Sequence, residues 1–194
     1  MLIHDANRGI GIVKMYLKPS DIEKSIARLR NDGASTALEN QAISLIKSDF
    51  DEECSYDFIN SAFLWGRGHR NLGRVNSKND KRTMSEHLRI AYNHGLNNEI
   101  SLGVIKVANL KQVRISYSSK CMRFIFPDRA VIMDSVIREK LGFADTQAGY
   151  ESFLNLCHSI LDHVKKSDEF SAGFGQTLRV CDIETAIYTQ MQGN

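Results

Sequence analysis

The sequence predicts an all-α protein. Only two prolines, Pro19 and Pro127, interrupt 194 residues. Apolar residues recur with a 3.6-residue period through most long segments. Two stretches, Ser20-Asp21-Ile22-Glu23 and Thr83-Met84-Ser85-Glu86, carry the capping-box pattern that opens helices.

The first helix is expected from Ser20 to about Asn31, where Asp32-Gly33 stops it. A second covers Thr36 to Lys47, with Leu38, Ala42, Leu45 and Ile46 inward. A third runs from Asp51 to Trp65, with Phe58, Ala62 and Trp65 on one side. Gly66 to Arg82 follows as a surface loop, because three glycines and several Asn and Ser residues leave it little to bury. The second capping box then opens a helix through Tyr92 that ends at His94-Gly95. Ile100–Ala108 and Ser116–Phe126 form a close helical pair. Asp134–Leu141, Gln147–Lys165 and Asp182–Met191 complete the set. Lys166–Leu178 is rich in Ser and Gly and reads as a loop. A short strand is expected over Ile10–Leu17. There are no repeats, and the length suits a single domain over 1–194.

Apolar residues make up 42% and charged residues 25%, the balance of an ordinary globular chain. No apolar run approaches the roughly 20 residues that span a bilayer, so no membrane association is expected. Met1–Lys18 lacks a compact apolar stretch of the secretory type. Cys54, Cys121, Cys157 and Cys181 are widely spaced without a CxxC pair. That pattern fits free thiols in a reduced, cytoplasmic monomer and argues against a cysteine-ligated cluster. His87 and His94, or His158 and His163, lack metal-ligand spacing. No metal and no cofactor is expected.

Net charge is only +2, but its distribution is uneven. Gly66–Arg82 carries Arg67, Arg70, Arg74, Lys78, Lys81 and Arg82 against one acid, Asp80. Such a run pairs with phosphates, or is simply solvated. Trp65 precedes it, and either stacks on a base or closes a buried helix end. Tyr150, Phe153, Leu154 and Cys157 follow helical spacing and read as core, with Tyr150 and Phe153 also able to line a base pocket.

The region of about 97–143 is the most informative. A helix ends near Asn109, a tight turn follows, and a second helix ends at Pro127. The apolar piece Ala130–Met133 then delivers Asp134 to another helix. Asp134 is a good N-cap there, and also a carboxylate poised for chemistry.

This order resembles the helix-hairpin-helix DNA glycosylases, in particular the small bacterial proteins with the 8-oxoguanine glycosylase fold that are linked to anti-phage defence. Leu110 and Val113 match the hairpin's apolar positions, and Val131-Ile132-Met133-Asp134 resembles the segment bearing the superfamily's aspartate. Ser119-Lys120, Phe124, Phe126, the proline and Asp134-Ser135 resemble the small bacterial branch. The likeness covers about 100 residues, Phe63–Leu161. Gln112 and Arg114 replace the hairpin's glycines, and the superfamily's catalytic-lysine position falls on Ser116, with Lys120 one turn further on.

The resemblance implies a two-lobed all-α fold around double-stranded DNA. It implies hydrolysis of the N-glycosidic bond of an extruded, damaged or modified base. In the defence-linked branch that base is expected to be hypermodified, such as a glucosylated hydroxymethylcytosine. Asp134 would stabilise the sugar cation. Lys120 would act as an amine, a phosphate contact or a solvated cation, and its offset favours a monofunctional enzyme. Arg114 and Ser116 would join the basic run on phosphate. Two other readings stay open at this point: a non-catalytic helix-hairpin-helix DNA-binding module, and a protein–protein adaptor.

Overall fold

The computed structural model describes residues 2–3, 15–16, 19–30, 32–167 and 177–192. They form an all-α fold, with a two-residue antiparallel pairing of β1 (Leu2–Ile3) and β2 (Met15–Tyr16) before the helices. The strand expected over Ile10–Leu17 is met at Met15–Tyr16; the rest of that stretch lies outside the described residues.

The helices are α1 (Pro19–Arg30), α2 (Gly33–Lys47), α3 (Glu52–Trp65), α4 (His69–Lys78) and α5 (Lys81–Leu96). They continue with α6 (Ile100–Ala108), α7 (Ile115–Ile125), α8 (Ser135–Leu141), α9 (Gln147–Lys166) and α10 (Val180–Gln192). Short polar side chains start five of them. Asp32, Asp51, Asp80, Asp134 and Thr146 accept from the first-turn N–H groups of α2, α3, α5, α8 and α9. Each such cap stabilises its helix by about 1 kcal/mol. Asp80, not the expected Thr83, caps α5: its Oδ1 accepts from Thr83 N at 2.7 Å. Gly142 ends α8 in the left-handed region, at φ 74°. Of the expected loop Lys166–Leu178, residues 168–176 lie outside the described set.

The largest correction concerns Gly66–Arg82. Most of it is helix, not loop. Its apolar content is thin, because only Val75 is fully buried and Leu72 partly so. Polar contacts to other elements supply the rest. Asn76 Nδ2 donates to Asn60 Oδ1 and to Tyr56 Oη. Asn79 Nδ2 donates to Lys111 O at 2.9 Å, while Asn79 Oδ1 accepts from Lys111 N at 2.8 Å. A periodicity reading sees none of these partners.

Helix α7 lies at the centre. It packs against α2, α3, α5 and α6, and every residue from Ser118 to Ile125 is buried. Around it, α5 and α6 lie side by side and α3 crosses α5. A second set is built by α10 against α1, α8 and α9, and α9 reaches back to α6.

The short α6–α7 turn, residues 109–114, contains no glycine. Gln112 occupies the left-handed region at φ 68°, where an L-residue costs about 1 kcal/mol. Arg114 is extended, at φ −119° and ψ 171°, a conformation any residue adopts. The turn is held from α4: Asn71 Nδ2 donates to Gln112 O at 2.9 Å, beside the Asn79–Lys111 pair.

Candidate active-site cleft

One face of α7 opens onto a cleft of about 620 Å³. Ser116, Tyr117, Lys120 and Arg123 follow helical spacing along it. The end of α3 brings Trp65, Gly66 and Arg67, and the stretch before α8 brings Ile132 and Asp134. Helix α10 adds a polar stripe of Glu184, Thr185, Tyr188 and Thr189. Most of these side chains are polar, so the cleft is wide and hydrogen-bonding rather than greasy.

Asp134 reaches the cleft because the segment ahead of it is clamped. Tyr150 Oη donates to Val131 O at 3.0 Å, and Val131 N points back at the same oxygen at 3.3 Å. Met133 N donates to Ser119 Oγ at 3.2 Å. Asp134 itself is half-buried and caps α8, with Oδ1 accepting from Ile137 N at 3.0 Å. Capping and exposure to the cleft therefore coexist in one side chain.

Lys120 is 6% exposed. Its Nζ donates to Ser116 O at 2.9 Å and to Ser116 Oγ at 3.1 Å, and it lies 5.0 Å from the Tyr117 ring centre. The lysine one turn further on thus folds its amine back to Ser116. Burial holds its ammonium below the usual lysine range, while Asp134 and Glu184 favour the charged form. Two glycines make room for this face. A Cβ on Gly66 would stand 2.7 Å from Lys120 Cε, and one on Gly68 2.8 Å from Tyr117 Oη. These glycines mark close approach to α7, not a mobile loop.

Trp65 combines the two roles the sequence left open. Its Nε1 donates to Ser35 Oγ at 3.1 Å and its ring meets Phe124 edge-on, yet it lines the cleft. Tyr150 and Phe153 do not line it; both are fully buried. Both are core residues, as their helical spacing implied, and Tyr150 adds the clamp on Val131. Arg67 stands at the cleft in the left-handed region, at φ 58°.

The other expected cations divide. Lys81 pairs with Glu53 and Arg82 with Glu86. Arg70, Arg74 and Lys78 are exposed on α4 and have no ion-pair partner among the described residues. Arg114 is exposed on the hairpin that α4 holds, and Ser116 lies inside the cleft.

Three charged groups escaped the sequence reading. Arg123, its side chain 2% exposed, pairs with Glu39 at 2.8 Å. Arg179 joins the same carboxylate at 3.1 Å and reaches Asp182 at 3.5 Å. This network ties α2, α7 and the start of α10 together beneath the cleft. Glu184, the third, is 5% exposed. The available signal was a charge on an otherwise apolar helical face, Val180, Ile183 and Ile187 for Glu184.

Among the described residues there is no cluster suited to a metal ion, and no helix is long and apolar enough to cross a membrane. No protein-family model, curated protein or solved structure matches the chain, so the chemistry of the cleft rests on its own residues.

Proposed function

We propose that the chain is a DNA N-glycosylase that hydrolyses the bond between deoxyribose and a modified base. One observation carries the reading: Asp134 and Lys120, from different elements, line a single polar cleft whose rim bears Trp65 and Arg67. Breaking an N-glycosidic bond builds positive charge on the sugar. A fixed carboxylate stabilises that charge and takes a proton from attacking water. DNA would lie between the group built on α7 and the group built on α10, with the target nucleotide extruded into the cleft. Arg70, Arg74 and Lys78 would hold phosphates beside it.

A volume of about 620 Å³ with a polar lining suits a base that carries a polar substituent. A glucosylated hydroxymethylcytosine of phage DNA is such a base, which makes anti-phage defence the proposed setting. Incubating the protein with genomic DNAs that carry different modified bases tests this. Release of one base class, leaving abasic sites, is the expected result. Intact DNA in every case would refute it.

We assign the attack to water, because two hydrogen bonds to Ser116 hold the Lys120 nitrogen in place. One observation favours the other route: burial favours the uncharged amine of Lys120, the form that attacks a sugar carbon to give a Schiff base and strand cleavage. Borohydride separates the two. No trapped adduct is expected, and an adduct lost in Lys120→Ala would establish attack by the amine.

A further inference from the structure

Glu184 places a carboxyl group in the cleft wall with no ion pair among the described residues. It is almost wholly buried. Arg123, the cation that most favours its charged form, is already paired with Glu39. The Ile132 N–H also favours the charged form. That is modest compensation for a carboxylate removed from water, which is costly unless it is neutralised.

We infer that Glu184 is the general acid of the cleft, donating its proton to the base as the base departs. The inference rests on the glycosylase reading and deepens it. The pair of electrons in the C1′–N bond passes to the base, and the Glu184 proton passes to an oxygen or ring nitrogen of that base. The base leaves neutral and Glu184 is left ionised. Water forms the new C1′–O bond, and its surplus proton goes to Asp134. Exchange with solvent returns a proton to Glu184 and removes one from Asp134, so one water is consumed per base released. An acid is needed most where the departing base is a poor anion. Cytosine-type bases are of that class, whereas uracil-type bases leave readily as anions.

The surroundings keep Glu184 in the acid form. Burial pushes its carboxyl up to about 8. Arg123 and Lys120 on α7 oppose the rise, and Asp134 before α8 adds to it. From α9, Tyr150 and Cys157 are raised by burial and further by the charge of Glu184. On α10 itself its neighbours are Cys181 and Tyr188, also raised by burial. Helix α1 brings Ser25 to the cleft, and the Lys140 ammonium of α8 bonds Met191 O at the far end of α10.

The test joins two measurements on the full chain. First, infrared difference spectra between the wild type and Glu184→Gln at about pH 6.5 should show the carbonyl stretch of one protonated carboxyl, since a free glutamate is ionised there. Second, base release from phage DNA rich in glucosylated hydroxymethylcytosine should fall as pH rises through about 8. Glu184→Gln should lower kcat by about 10²–10⁴-fold and remove that alkaline limb. Glu184→Asp, checked for folding by its melting curve, should keep the limb at a reduced rate. Missing carboxyl absorption, or wild-type rate and pH profile in Glu184→Gln, overturns the acid role alone. No base release by the wild type from any modified DNA overturns the glycosylase reading beneath it, and the infrared result tells the two failures apart.

Discussion

The cleft face of α7 and the outer face of α4 carry the same residue types and use them differently. Lys120 and Arg123 are enclosed, hydrogen-bonded and fixed. Arg70, Arg74 and Lys78 are exposed and have no ion-pair partner among the described residues. Burial favours the uncharged amine of Lys120, and an enclosed charge biases the ionisation of its neighbours because low dielectric magnifies it. An exposed cation acts at a distance that salt controls. The first set suits chemistry and the second suits holding a polyanion.

The sharpest way to break this comparison is at Asp134. Asp134→Asn should cut base release by about 10³-fold, the scale of losing one electrostatic stabiliser of the transition state. Stability should change by less than about 1 kcal/mol, because Asn caps a helix as well as Asp. Wild-type turnover by a folded Asn variant would remove Asp134 from the mechanism.

Next comes the network beneath the cleft. Glu39→Ala leaves Arg123 enclosed without its partner, which should destabilise the fold by about 3 kcal/mol. Denaturant unfolding measures it. A loss under about 1 kcal/mol would mean that Arg123 is hydrated, on the level of an exposed pair.

The α4 face should behave oppositely. Replacing Arg70, Arg74 and Lys78 together by Ala should leave stability within about 0.5 kcal/mol, as surface changes do. DNA affinity should become less steep in salt, by about one power of salt concentration per lost phosphate contact. The effect should be the same on any sequence, and choice among modified bases should survive at saturating DNA. An unchanged salt slope would make α4 a solvated surface only.

The smallest effect concerns the hairpin between the two regions. Gln112→Gly should stabilise the protein by about 0.5 kcal/mol, since it relieves a left-handed backbone at some cost in unfolded-chain entropy. Thermal unfolding reads it, and destabilisation would show that the Gln112 side chain holds the turn.

Much of this molecule was legible one segment at a time. Ile100–Ala108 was expected with the bounds it has, and Gln147–Lys165 ends one residue short of α9. Asp134 was placed at a helix start by its local pattern and in the site by the resemblance alone; it caps α8 and lines the cleft. Lys120 was placed one turn from Ser116, and its amine bonds to Ser116. The failure at α4 has a physical cause: its partners Tyr56, Asn60 and Lys111 lie elsewhere in the chain. Tyr150 was read as core or base pocket; it is core, and its hydroxyl bonds to Val131, outside its own helix.

The sequence by itself therefore determined the helices other than α4, because caps and the 3.6-residue period are set by neighbours within a few positions. It also placed Lys120 one turn from Ser116, on the same face of α7. Only the tertiary structure decided that Glu184 joins them, and that Arg123 answers to Glu39. Burial and dielectric belong to the packed whole, since a side chain loses its water only when distant helices close over it.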